Sequence, residues 1–198
     1  MADADRHRWN DKWAESEIGT DHGSRLLDLI EPWLPESGRL LDIAGGGSNT
    51  SLEFARRGLD VTVADVSDVG LIQARQRALA EDLLISTVEV DLKAEPLPAG
   101  PWDVITLANY LQRDLFASIA AELAPAGLLG VIIATKTNLE RNNRPGAPFS
   151  VDPDELPRLV PDLEIVHHNA EWRPNGRHEA HLVARRPAGR PESGESVS

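Results

Sequence analysis

Residues 40–65 constrain the chain more than any other stretch. Leu40-Leu41-Asp42-Ile43 is an apolar run with an acid near its end, followed by Ala44-Gly45-Gly46-Gly47-Ser48-Asn49 and a helical pattern from about Thr50 to Arg57. A second run, Asp60-Val61-Thr62-Val63-Ala64, ends at Asp65. This reads as strand, glycine-rich turn, helix, strand. Glycine accepts a positive φ and leaves room for a ligand to approach the backbone. An acid about 20 residues beyond such a loop, at the tip of the second strand of a βαβ unit, is placed to accept hydrogen bonds from ribose hydroxyls. The pattern therefore predicts a nucleoside-binding doubly wound sheet. A glycine-rich turn alone is a weak signal, and the strand before it, helix after it and second acid strengthen it.

The flanking elements extend the pattern. In Arg39 to Ile43 the hydrophobics Leu40 and Leu41 are consecutive rather than alternating, as expected for a strand covered on both faces. Gly58 suits a helix C-cap and Ser67 an N-cap for a helix from Val69 to about Glu81. Leu83 to Val90, ending at Asp91, reads as a third strand, and Trp102 to Ala108 as a fourth, running into Asn109-Tyr110-Leu111. A helix follows over Asp114 to Leu123, then a fifth strand over Leu128 to Thr135. Lys136 to Ser150 is a long polar loop without periodicity, of the kind that tends to carry function. Asp152-Pro153-Asp154-Glu155 opens a short helix. Two last strands, Asp162 to His168 and Glu179 to Arg185, flank a turn at Pro174-Asn175-Gly176 and predict an antiparallel pair at the sheet edge. The expected fold is α/β, a doubly wound seven-stranded Rossmann-like sheet, mostly parallel with an antiparallel C-terminal edge pair.

Residues 1–7 read as a flexible lead, 8–186 as the domain, and 187–198, rich in Pro, Gly, Glu and Ser, as a disordered tail. Within the domain, 8–38 reads as a helical lid. Trp9 and Trp13 lie four apart on one helical face, and Ser24 to Leu34 is an amphipathic helix.

Composition narrows the function. The 198 residues hold 20 basic against 32 acidic side chains, a net charge of −12. Nucleic-acid binding depends on Lys and Arg neutralising phosphates, so no nucleic-acid partner is expected. There is no cysteine, which excludes a disulfide framework, a thiolate nucleophile or a thiolate metal ligand. His167-His168 is the one tempting metal pair, but neighbours on a strand point to opposite faces, so no metal is expected. No apolar run reaches the roughly 18 residues a membrane span needs, and the N-terminus has no signal core, so a cytoplasmic location is expected.

The terminal β-β, where a pyridine-nucleotide domain would continue with βα units, discriminates among nucleoside-binding folds. Together with Trp9-Asn10-Asp11-Lys12-Trp13, Leu41-Asp42-Ile43-Ala44-Gly45-Gly46-Gly47, residues 55–67 and Leu111-Gln112-Arg113-Asp114-Leu115-Phe116, it resembles the class I S-adenosylmethionine-dependent methyltransferases over about residues 9–185. Within that class it is similar to the tellurite-resistance type of small methyltransferase-domain protein. In that family the loop is acid-x-Gly-x-Gly-x-Gly; here the three glycine places hold Ala44, Gly46 and Ser48.

The resemblance implies S-adenosyl-L-methionine as cofactor. It implies Asp42 near the methionine amino end, the backbone of Ala44, Gly45, Gly46 and Gly47 beneath the cofactor and Asn49 completing that loop. Asp65 would take the ribose hydroxyls with Val66 against adenine, and Asp91 the adenine amino group with Leu92 beside it. Asn109 and Tyr110 would lie beside the sulfonium methyl, with Arg113 joining them as catalytic candidates. Acid at a strand end also turns chains and caps helices. The reaction would be an in-line displacement onto a small-molecule acceptor. Tyr110, Arg113, Arg141, Arg144, Trp9, Trp13 and His22 are the candidate acceptor contacts, and arginines there would favour an anionic acceptor. The alternative is a non-catalytic S-adenosylmethionine-binding or interaction module, because fold does not fix function.

Overall fold

The computed structural model describes residues 2–15, 24–47 and 49–189. Seven strands form one sheet: β1 (Arg39–Ile43), β2 (Asp60–Asp65), β3 (Ile85–Glu89), β4 (Trp102–Ala108), β5 (Leu123–Ala134), β6 (Glu164–Trp172) and β7 (His178–Arg185). Their order is β3-β2-β1-β4-β5-β7-β6. The first five are parallel; β7 runs antiparallel to β5 and β6 antiparallel to β7. This is the expected doubly wound sheet with its reversed edge pair. The strand order reverses at β1 and β4, and the crevice outside their carboxyl ends is where such sheets bind ligands.

Helices cover both faces. They are α1 (Ala2–Glu15), α2 (Ser24–Ile30), α3 (Thr50–Arg56), α4 (Asp68–Ala80), α5 (Leu115–Glu122) and α6 (Glu155–Leu159). Leu27, Ile30, Phe54 and Leu71 pack with Val61, Val63 and Val104 on one face. Leu115, Phe116, Ile119 and Leu156 pack with Ile105, Leu129 and Leu182 on the other. The alternation of β7 fits: Ala180, Leu182 and Ala184 join one layer and Val183 the other, as a period of two demands.

Several boundaries differ from the sequence reading for identifiable reasons. Residues 2–7 are helical rather than a flexible lead. Asp3 and Asp5 lie in the first turn of α1, favourable to the helix dipole, and Arg6 pairs with Glu89 and Lys93 with Asp5 across to the body. The amphipathic segment from Ser24 ends α2 at Ile30 and continues as a 3₁₀ turn over Glu31–Trp33, where Pro32 interrupts the backbone ladder. β5 begins at Leu123, ahead of Pro125 and Gly127, because Leu123 already pairs with Trp102. β6 extends to Trp172, since each residue from His167 on has a partner in β7. The polar loop after β5 holds two 3₁₀ turns, Lys136–Glu140 and Ala147–Phe149. Most of the tail expected from Pro187 lies outside the described residues, as does His22.

Candidate functional site

The site is a row of loops along the carboxyl edge of the sheet. At β1, Asp42 is 2% exposed, and both its oxygens are engaged: Ser51 Oγ donates at 2.5 Å and Thr106 Oγ1 at 3.0 Å. Burial pushes its carboxyl up to about 6, against the lowering effect of those two hydroxyls. Gly45 lies directly over it; a Cβ there would stand 2.5 Å from Asp42 Oδ2. Asp42 thus anchors the loop from below, bound to the first turn of α3 and to β4.

Ala44 and Gly46 have φ of +53° and +51°. For a non-glycine residue the left-handed conformation is uncommon and concentrates at functional sites. Asp65, at the tip of β2, is 7% exposed. Its carboxylate accepts from the Ser67 backbone N–H at 2.8 Å; burial raises its pKa, and the neighbouring backbone N–H groups of Ser67, Gly46 and Val66 oppose the rise. The Gly46 N–H is near enough to influence this carboxylate, so the glycine loop and the second acid lie side by side. Val66 is half-buried beside it, and Asn49 accepts from Arg77 at 2.5 Å.

Asp91 follows β3 and accepts from the Lys93 N–H at 3.1 Å. Leu92 is buried, and its carbonyl accepts from Gln112 Nε2 at 2.9 Å. Gln112 Oε1 in turn accepts from the Tyr110 hydroxyl at 2.6 Å. This bridge joins the loops after β3 and β4. Burial, with the charge of Asp91 next, pushes the Tyr110 phenol up to about 12, so it is a hydrogen-bond donor at neutral pH. Asn109, at the tip of β4, is exposed with φ +59°, and its Oδ1 accepts from Arg177 Nη1 at 3.3 Å.

The lid candidates sit over this row. Trp13 rests on the glycine loop: a Cβ on Gly46 would lie 2.5 Å from its ring, and one on Gly70 2.8 Å. Gln73 Nε2 donates to the Trp13 carbonyl at 2.8 Å. Asn10 donates to Asp68 at 2.7 Å and accepts from Ser67 Oγ at 2.6 Å. Helix α1 is thereby fixed to the turn that carries Asp65. Trp9 instead carries Lys12 over its ring, 4.2 Å from the centroid.

The arginine candidates are placed otherwise. Arg113 donates to Glu155 at 2.5 Å and to the Ser150 carbonyl at 3.1 Å, bracing α6. Arg141 stacks 3.9 Å over Trp172, and Arg144 is exposed. His167 faces Trp33 at 6.3 Å, and among the described residues no group of three or more His, Asp or Glu side chains could hold a metal ion. No helix among them is long and apolar enough to cross a membrane.

One polar cluster escapes the motif reading. Glu179, fully buried, pairs with Arg25 at 2.5 Å and lies 3.4 Å from His181. The available signal was the two-residue spacing of Glu179 and His181 on an apolar strand, which puts both on one sheet face.

Comparison with known proteins agrees with this geometry. Residues 40–127 match the sequence model of the methyltransferase domain family. By that match and by its fold, the chain resembles the class I S-adenosylmethionine-dependent methyltransferases. Within them it resembles the TehB type. TehB from Haemophilus influenzae superposes with a TM-score of 0.70 at 20% identity, over 89% of this chain and 66% of that one. The magnesium protoporphyrin IX methyltransferase ChlM from Synechocystis, with bound S-adenosylhomocysteine, gives 0.72 at 15% identity, over 93% and 99%. The ubiquinone/menaquinone biosynthesis C-methyltransferase UbiE of Cereibacter sphaeroides is 36% identical over 116 residues, 53% of this chain and 46% of that protein. The chain spans about half the length of the curated relatives it matches.

Proposed function

We infer that the chain transfers the methyl group of S-adenosyl-L-methionine to a small-molecule acceptor, and that it does so in the cytoplasm. The observation that carries this reading is the buried Asp65 carboxylate at the tip of β2, beside the positive-φ glycine loop whose Gly46 N–H lowers its pKa. A positive-φ loop beside a buried strand-tip acid is an arrangement that suits a nucleoside.

The residues present fit that cofactor. Ala44 and Gly46 present positive-φ backbone at the carboxyl edge of the sheet. Asp65 retains lone pairs beyond those its backbone donors fill, and they suit vicinal hydroxyls. Asp65 and Val66 would hold the ribose and adenine, and Asp91 with Leu92 the far edge of the base. The Ala44–Gly47 backbone and Asn49 would underlie the methionine part. Asp42 would act by fixing that loop, because Ser51, Thr106 and Gly45 already enclose it.

When bound, S-adenosylmethionine supplies an electrophilic methyl on a sulfonium, and the protein supplies alignment and electrostatics. Asn109, exposed at the tip of β4, would border the reacting centre. Tyr110, protonated and held by Gln112, would shape its wall without taking a proton. Arg113 would stabilise the wall through Glu155.

The test is incubation of the full chain with S-adenosylmethionine and a panel of small acceptors, reading S-adenosylhomocysteine by mass spectrometry. Acceptor-dependent product supports the reading. Cofactor binding without product from any acceptor would favour the non-catalytic module instead.

A further inference from the structure

The β6–β7 hairpin carries polar chemistry that cofactor binding does not use. Glu179 Oε2 accepts from Arg25 Nη1, while Glu179 Oε1 is buried with no hydrogen-bond partner. Between α2 and the hairpin lies a cavity of about 510 Å³, lined in part by Arg25, Asp28, His167, Asn169, Arg173 and His181. That volume suits a drug-sized molecule. Two guanidinium groups and two imidazoles line it with one carboxylate, Asp28; of the guanidinium groups, Arg25 is paired with buried Glu179 and Arg173 with exposed Glu171.

Arg173 is the better-placed donor. Its side chain is 17% exposed, and its terminal nitrogens reach Glu171 at 2.6 Å and Asn169 at 2.5 Å. Its Nε is buried and has no partner. Glu171 is 56% exposed, so water screens its hold on the guanidinium. A carboxylate offers the paired oxygens that a guanidinium edge binds best.

The cavity also lies within reach of the proposed reacting centre. Strands β4, β5 and β7 are consecutive in the sheet, so β4 and β7 run about 10 Å apart. Ala108 pairs with Ile132, and Ile132 with His181, which sets the cavity wall level with the end of β4. Arg177, in the hairpin turn, hydrogen-bonds Asn109.

We propose that this cavity is the acceptor subsite, and that it takes a small molecule bearing a carboxylate or similar oxyanion. Arg173 and Arg25 hold the anionic end, and the nucleophilic atom points toward Asn109. The assignment rests on the methyltransferase reading above and narrows its acceptor class.

The experiment uses isotope-labelled full-length protein and three probes of one shape: 2-naphthoate, neutral 2-naphthamide and cationic 2-naphthylmethylamine. Titrations followed by amide chemical shifts are run with and without S-adenosylhomocysteine. The expected result is that 2-naphthoate perturbs His167, Asn169 and His181 and binds at least about tenfold tighter than the amide. Arg173→Gln removes that preference and leaves S-adenosylhomocysteine affinity unchanged. Equal affinity for the amide, tighter binding of the amine, or shifts confined to other residues would overturn the proposal. Failure of S-adenosylhomocysteine to bind would instead strike the cofactor reading, and the titration without it still decides whether the cavity selects anions.

Discussion

Asp42 offers a sharp electrostatic test, because burial alone sets the sign of its effect. Its carboxyl is 2% exposed and is raised from 3.8 to about 6. The native state therefore holds this proton more tightly than the unfolded chain does. Its contribution to stability is complete below about pH 3.8 and is lost as pH rises through about 6. The full span corresponds to about 3 kcal/mol, of which about 2 kcal/mol falls between about pH 4.5 and 7.5. Asp42→Asn removes the titration and keeps the shape. The Ser51 and Thr106 hydroxyls can reverse direction to accept from the new amide. Urea unfolding of parent and variant across that range isolates the residue, since all other titrating groups are common to both. The parent should lose about 2 kcal/mol relative to the variant as pH rises. Parallel curves, or a parent that gains on the variant, would refute the argument that desolvation outweighs the two hydroxyl bonds.

Other perturbations follow from the same contacts. Gly46→Ala places a Cβ 2.5 Å from Trp13 at a φ of +51°; it should cost about 1–3 kcal/mol and shift tryptophan emission, read by thermal melts and fluorescence. Ser67→Ala removes the α4 N-cap and the bond to Asn10; a loss of about 1–2 kcal/mol should come with faster hydrogen exchange in α1. Tyr110→Phe breaks only the bond to Gln112; stability should fall by about 1 kcal/mol, while the pH dependence of methyl transfer stays unchanged, because the phenol does not act as a base.

The glycine loop and its two acids were legible in the sequence because their chemistry is local. Small residues, a strand end and an acid must fall within a few positions of one another. The antiparallel edge pair followed from similar logic, since two successive strands joined by a short turn pair antiparallel; that β7 would lie between β5 and β6 did not. What escaped was tertiary. The seat of Trp13 on Gly46 and Gly70 joins positions far apart in the chain, and nothing near Trp13 announces it. Arg113 and Arg141 read as candidate acceptor contacts, yet Glu155 and Trp172 claim them. The early start of β5 was hidden by Pro125 and Gly127, which look like breakers until Leu123 is seen paired to Trp102. Asp42 read as lying near the methionine amino end; that Ser51, in the first turn of the next helix, would hydrogen-bond its carboxylate was not signalled in the sequence.

The central claim is that a buried carboxylate at the tip of β2 binds the ribose of a sulfonium nucleoside. Calorimetric titration of S-adenosylhomocysteine into the full chain and into a folded Asp65→Ala variant tests it directly. The account predicts saturable one-to-one binding to the parent, weakened by about 10- to 100-fold in the variant. No heat from the parent, or equal affinity in the two proteins, would contradict it.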